Sequence, residues 1–259
     1  MLEEQTLASG MRVWVNRPDT EGPAPAVMLL HERYGPVPHS FRLLERLAGD
    51  GFVACLPDLF HRYEGNRKPI EDGEARFDPT DDDVLTDIDE IVSFLRSQAF
   101  VKGERIGMVG FCLSGRTPLL FSARRDDAFG IAVFHGGAYP RDYAAALPGQ
   151  TSVADLIPCL SCPVLGAFGE LDQLVPLANV ARFRKDLDAA GKSYRIRVFA
   201  DAPHSWLEQS KPDTYRPAQA DVAWRALVDF FGETSRGEWD AGERRQAFEP
   251  DDAIDFDFG

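Results

Sequence analysis

The feature that most constrains this chain is a rhythm. Short runs of β-branched and other apolar residues alternate with longer amphipathic stretches along nearly all of its 259 residues. An apolar run of five or six residues suits a strand buried on both faces, and an amphipathic stretch suits a helix packed across it. The repeat therefore predicts an α/β fold, a mostly parallel central sheet with helices on both faces. Strands are predicted at Arg12–Asn16, Ala26–Leu30, Phe52–Leu56, Arg105–Val109, Ile131–Phe134, Val164–Phe168 and Tyr194–Phe199, the first as an antiparallel edge. Helices are predicted over residues 39–51, 82–98, 113–125, 177–191 and 218–231; in the fourth, Val180, Phe183, Leu187 and Ala190 recur at helical spacing and should face the sheet. Two polar insertions rich in Pro and Gly, residues 61–80 and 139–158, break the rhythm. Loops after strand ends border the ligand crevice of an open α/β sheet, so these are candidate lids.

With 44% apolar and 27% charged residues the chain has enough apolar surface to offset the entropy of ordering one large domain, expected over residues 1–232. Residues 233–259 read as an acidic tail, either disordered or docked. A net charge of -14 opposes phosphate backbones and anionic membranes, which excludes nucleic acid as an expected partner. The acidic runs "DPTDDD" and "EPDDAIDFDFG" are read as solubility features. No stretch approaches the ~18 consecutive apolar residues of a membrane span, and "MLEEQTLASG" lacks the basic start and apolar centre of a signal peptide. The expected location is cytoplasmic, with the four cysteines as thiols.

Chemistry concentrates in "GFCLSG", residues 110–115, between a predicted strand and a predicted helix. The nucleophile elbow of α/β-hydrolases, G-x-S-x-G, holds its nucleophile in a strained turn with small residues two before and two after. Centred on Cys112 the pattern has Gly110 and Ser114, both small; centred on Ser114 it would place Arg116 where only a small side chain fits. Cys112 is the expected nucleophile. A thiol at a helix start also gains from the dipole, and the backbone N–H of Leu113 would point at a developing oxyanion.

Such a nucleophile needs an imidazole base and a carboxylate that orients it, which in the α/β-hydrolase order follow as acid and then histidine. "AFGELDQLVP" and "ADAPHSWLE", each after a predicted strand, supply Asp172 and His204, with Glu170 and Asp201 as competing acids. Among the other histidines, His39 and His61 read as surface or loop residues, His31 as a satisfied core residue, and the glycines after His135 as packing elements.

Together, "GFCLSG", "LDQLVP" and "PHSW", with "LLHERYG" and "CLPDLF" earlier, resemble the dienelactone hydrolase family of α/β-hydrolases over residues 10–232. The resemblance implies an α/β-hydrolase fold and a Cys112, His204 and Asp172 triad. It further implies that Glu32 contacts the resting thiol, and that the backbone N–H of Arg33 is a second oxyanion donor beside Leu113. The substrate implied is a small ester or lactone, cleaved through a thioester without metal or organic cofactor. Tyr34, Arg62 and Trp206 are candidate substrate contacts. The chain departs from the family at three places: Ser114 replaces the first of two elbow glycines, Glu208 stands where dienelactone-cleaving members carry an arginine for the substrate carboxylate, and the insertion that supplies another substrate arginine in the family is shorter here. A like charge at Glu208 would repel an anionic lactone, and Arg33, Arg62 and Arg76 are candidates to replace the arginine of the insertion.

Two other readings compete. A hydrolase fold without catalysis could bind a small ligand or partner through its loops. The C-x-x-C of "PCLSCP", Cys159 and Cys162, could be a redox pair, but it leads into a strand rather than opening a helix, so both cysteines, like Cys55, read as structural. The sequence leaves the particular ester or lactone and the oligomeric state open.

Overall fold

A computed structural model describes residues 2–239 and 244–256. Nine strands form one sheet: β1 Leu2–Thr6, β2 Arg12–Asn16, β3 Ala26–Leu30, β4 Val53–Pro57, β5 Ile106–Phe111, β6 Ala128–Phe134, β7 Val164–Gly169, β8 Tyr194–Phe199 and β9 Gln246–Pro250, in the spatial order β1-β2-β4-β3-β5-β6-β7-β8-β9. β1 and β2 are antiparallel to their neighbours, and every pairing from β4 onward through β9 is parallel. The predicted edge strand β2 lies one place in from the edge, covered by β1, and pairs with β4 rather than with β3, which follows it in sequence.

Helices α1 (Pro38–Gly49) and α8 (Pro217–Ser235) cover one face; α3 (Asp81–Arg96), α4 (Thr117–Arg124) and α7 (Leu177–Ala189) cover the other. Alternate strand residues divide between the two layers: Met28 and Leu30 pack with α3 and α4, whereas Val27 and Leu29 pack with α1 and α8. α3 shows why a helix begins where it does. The Thr80 hydroxyl accepts the Asp83 N–H at 3.2 Å, three aspartates occupy the first turn, and Val84, Ile88, Ile91, Val92 and Leu95 form the buried stripe. The run "DPTDDD" is thus more than a solubility feature, since it caps a helix and its Asp81 is buried against Arg116.

Both predicted lids are built and tied down. The first carries α2 (Lys68–Glu71), with Arg67 anchored on Asp58 and on the Phe60 carbonyl. The second carries α5 (Pro140–Tyr143) and α6 (Val153–Leu156). They meet where the Asp81 N–H donates to the Gly149 carbonyl and the Thr151 N–H to Asp81.

The boundary expected at residue 232 falls inside α8, which runs to Ser235. Beyond it, β9 extends the sheet beside β8 and Ile254 is buried, so the described part of the tail is docked on the body; residues 240–243 and 257–259 lie outside the described residues. No described helix is long and apolar enough to cross a membrane.

Candidate active site

Five adjacent strands, β3, β5, β6, β7 and β8, release their chain at one end of the sheet, and the residues that follow them converge there. Cys112 comes directly after β5, with φ of 50°. Its conformation is forced by close approach on every side. A Cβ on Gly110 would lie 2.3 Å from the Ser114 carbonyl oxygen, and one on Gly136 would lie 2.1 Å from the Cys112 carbonyl oxygen. Ser114, read as a glycine substitute, adds a clamp: its hydroxyl accepts the Phe111 N–H at 3.1 Å and faces the Leu30 and Phe111 carbonyls at 3.1 and 3.0 Å. The helix expected from Leu113 opens as a 3₁₀ turn, Cys112–Arg116, before α4 begins. Leu113 N–H lies in that first turn, where backbone donors have no acceptor within the helix.

Cys112, His204 and Asp172 lie within hydrogen-bonding distance of one another in succession. His204 Nε2 is 3.1 Å from Cys112 Sγ, and His204 Nδ1 donates to Asp172 Oδ2 at 2.8 Å. Asp172 is buried, and its other oxygen accepts the Leu174 and Val175 N–H groups at 2.9 and 3.1 Å, so the turn after β7 aims the carboxylate. Burial alone would lower the pKa of His204, but hydrogen bonds with Asp172 and Cys112 outweigh it and raise the value to about 10. Burial would raise the pKa of Asp172, and the His204 contact instead holds it low. The stable pair is carboxylate and imidazolium, with the remaining imidazolium proton directed at sulfur. The competing acids lie elsewhere, Glu170 accepting the Asp201 N–H at 3.0 Å.

Glu32 departs from expectation. It is buried with its Oε1 2.9 Å from His135 Nε2, while the partners of the thiol are His204 Nε2 and the Tyr139 hydroxyl, 3.4 Å away. Burial would raise the Glu32 carboxyl, yet the His135 hydrogen bond outweighs it and the value falls to about 2. For His135 burial dominates and holds the ring neutral. His135 and Tyr139, both after β6, were not singled out from sequence as site residues. The "FHGGAY" run that carries them packs its glycines against the elbow, as expected, but also delivers an imidazole and a phenol. Burial and the neighbouring sulfur raise the Tyr139 pKa, so the phenol stays a donor. Of five non-glycine residues with positive φ among the described residues, three are Cys112, His135 and Ser205, which marks this strand-end cluster as where the fold stores strain.

The expected substrate contacts divide. Tyr34 borders an open groove of about 450 Å³ whose walls also include His39, Glu208 and Lys211. Arg62 is held by Asp87 at 2.5 Å, and Trp206 is fully buried, its ring facing His135 and Phe199, so Trp206 is not presented to a ligand. The other two arginines are also engaged: Arg33 donates to the Gly73 and Ala75 carbonyls, and Arg76 pairs with Asp78. Glu208 does not present a bare negative charge, because it is buried and paired with Lys211 at 2.8 Å. His39, read as a surface residue, is buried in α1, and His61 is tied to Asp87 at 3.0 Å, whereas His31 is a satisfied core residue. Cys55 is inert, its thiol pushed up to about 12 by burial, and no disulfide joins Cys159 to Cys162.

Comparison with known proteins follows the same line. The family model described as the dienelactone hydrolase family matches residues 11–235. A Methylorubrum extorquens protein bearing a carboxymethylenebutenolidase name is 30% identical, over 83% of this chain and 74% of its own. A Bradyrhizobium protein named as a 2-oxo-3-(5-oxofuran-2-ylidene)propanoate lactonase is also 30% identical, over 82% and 84% of the two chains. Among solved structures, one from Klebsiella pneumoniae carrying a dienelactone hydrolase name superposes with a TM-score of 0.79 at 26% identity, over 90% of this chain and 98% of that one. The strand-end cluster thus sits in an α/β-hydrolase fold, and the chain, a hydrolase of the lactone or ester type, belongs to the dienelactone hydrolase family.

Proposed function

We propose that this hydrolase cleaves small carboxylic esters or lactones with Cys112 as nucleophile. The observation that carries the reading is the continuous thiol, imidazole and carboxylate chain, 3.1 Å and 2.8 Å in its two links. Cys112 Sγ attacks the acyl carbonyl as thiolate while His204 Nε2 holds the proton; the tetrahedral oxyanion is received by the backbone N–H groups of Leu113 and Arg33. As the intermediate collapses, the C–O bond to the leaving group breaks and His204 gives its proton to the departing oxygen. His204 then draws a proton from water, which attacks the thioester and returns the thiol and a carboxylic acid. Asp172 keeps the imidazole oriented throughout. Glu32 and His135 act as positioning residues behind the His204 ring, not as partners of sulfur.

The substrate is read as uncharged near the reacting carbon, since Arg33, Arg62 and Arg76 are all engaged and Lys211 is paired with Glu208. Cys112→Ala is expected to reduce hydrolysis of p-nitrophenyl butanoate by at least about 10³-fold with an unchanged thermal melt. Retained activity in that variant defeats the assignment.

A further inference from the structure

Behind the elbow, between the two insertions, lies a small cavity of about 40 Å³. A water needs roughly 10–15 Å³ measured this way, so the space suits one small substituent or a few waters. Its wall includes Leu113, the residue next to the nucleophile, together with Arg116, Asp142 and Gln150.

Two buried acids on this wall are treated oppositely. Asp81 takes both guanidinium nitrogens of Arg116 at 2.6 and 2.9 Å and the Thr151 N–H at 2.8 Å. Asp142 is just as buried, 5% exposed, yet its Oδ2 has no hydrogen-bond partner among the described residues and its Oδ1 lies 3.7 Å from the nearest Arg141 nitrogen. Arg116, 6% exposed, is likewise left with an unpartnered Nε once its two outer nitrogens are used. A buried polar atom without a partner is costly, and the two residues that carry an unpartnered acceptor and an unpartnered donor both line this cavity.

We propose, building on the hydrolase reading above, that this cavity is an acyl-chain subsite for an uncharged hydroxyl, which donates to Asp142 Oδ2 and accepts from Arg116 Nε. Several observations select that occupant. The cavity is lined by Leu113 and Ser114 and not by His204, so it lies beside the expected oxyanion donor rather than beside the imidazole that would protonate the leaving group. Arg116 is already neutralised by Asp81, and Arg141, the other arginine of the lining, stands between Asp78 and Asp142 at 3.9 and 3.7 Å, so acids match the cations of this wall and an uncharged group fits it better than a carboxylate. Burial raises the Asp142 carboxyl to about 7, and a hydroxyl fits both of its forms, donating to the carboxylate and accepting from the acid.

The test compares p-nitrophenyl 3-hydroxybutanoate with p-nitrophenyl butanoate, each read as kcat/KM on the same sample, so that any misfolded fraction cancels from the ratio. The parent chain is expected to prefer the hydroxy ester by about tenfold or more, because a site built to hydrogen-bond a hydroxyl penalises the analogue that lacks it. Asp142→Leu is expected to bring the ratio to about one, and Asp142→Asn, similar in size and able to hydrogen-bond, to keep most of it. A parent ratio near one, a preference that survives Asp142→Leu, or one lost equally in Asp142→Asn overturns the subsite. If Cys112→Ala hydrolyses both esters as fast as the parent chain, it is the assignment of Cys112 as nucleophile that fails, and the subsite argued from its place beside Cys112 falls with it.

Discussion

Two carboxylate–imidazole pairs stand side by side at the strand ends, Asp172 with His204 and Glu32 with His135, their rings 4.9 Å apart and nearly perpendicular. Both acids are buried and both are held as carboxylates, yet the histidines differ in charge: His204 is raised to about 10, while His135 is lowered. The far nitrogen explains the contrast. His204 Nε2 faces the Cys112 sulfur, so its cation has an acceptor on each side, whereas His135 Nδ1 is buried without a partner among the described residues. The charged His204 ring also lowers its neighbour, because two imidazoliums at this distance repel. A carboxylate alone does not keep a buried histidine charged; here the second acceptor, sulfur, does.

The largest effect that can break this comparison is on turnover. Asp172→Asn removes the charge that stabilises the His204 cation and favours the wrong tautomer, so kcat/KM for p-nitrophenyl butanoate is expected to fall by about 10³ to 10⁴-fold. Glu32→Gln, which keeps an acceptor for His135, is expected to cost less than about tenfold. Equal losses would mean that the second pair is part of the chemistry.

Acid stability separates the pairs next. The Glu32 carboxyl falls from 4.5 to about 2 on folding, so between those values the unfolded chain binds the proton and the folded chain does not. Its contribution is complete above about pH 4.5 and is lost as pH falls toward 2. Urea unfolding across that window should therefore show the parent chain losing on the order of 2 to 3 kcal/mol more than Glu32→Gln. Parallel curves would show that the Glu32 contact does not survive in solution.

How much of this was legible in the sequence depends on the range of the cause. The inner strands were readable because burial on both faces demands continuous apolar runs such as "AVMLL", while β1 and β9, "LEEQT" and "QAFEP", are exposed edges whose residues carry no such demand. Cys112 was readable because the strained turn requires small neighbours locally, and chain order placed Asp172 and His204. The Glu32 to His135 contact spans 103 residues, and nothing near either one specifies the other. The same holds for Glu208, a bare charge in sequence that Lys211, three residues on, neutralises only because the loop turns back. Arg62, a candidate substrate contact in sequence, is instead taken by an aspartate on α3 that lies 25 residues away.

Tyr139 gives the smallest and most discriminating effect. Its hydroxyl lies 3.4 Å from Cys112 Sγ and 3.1 Å from the His135 carbonyl, so its one proton links the thiol of the first pair to the backbone of the second. Tyr139→Phe keeps the ring and removes only that donor. If the hydroxyl supports the thiolate, iodoacetamide should label Cys112 about threefold more slowly at fixed pH, and kcat should fall by a similar factor with KM unchanged, as expected for a single hydrogen bond. Stability should change by less than about 1 kcal/mol, because the buried carbonyl loses at most one donor. Unchanged labelling with a lowered melting temperature would instead place the hydroxyl on His135 alone and make it a brace for the second pair.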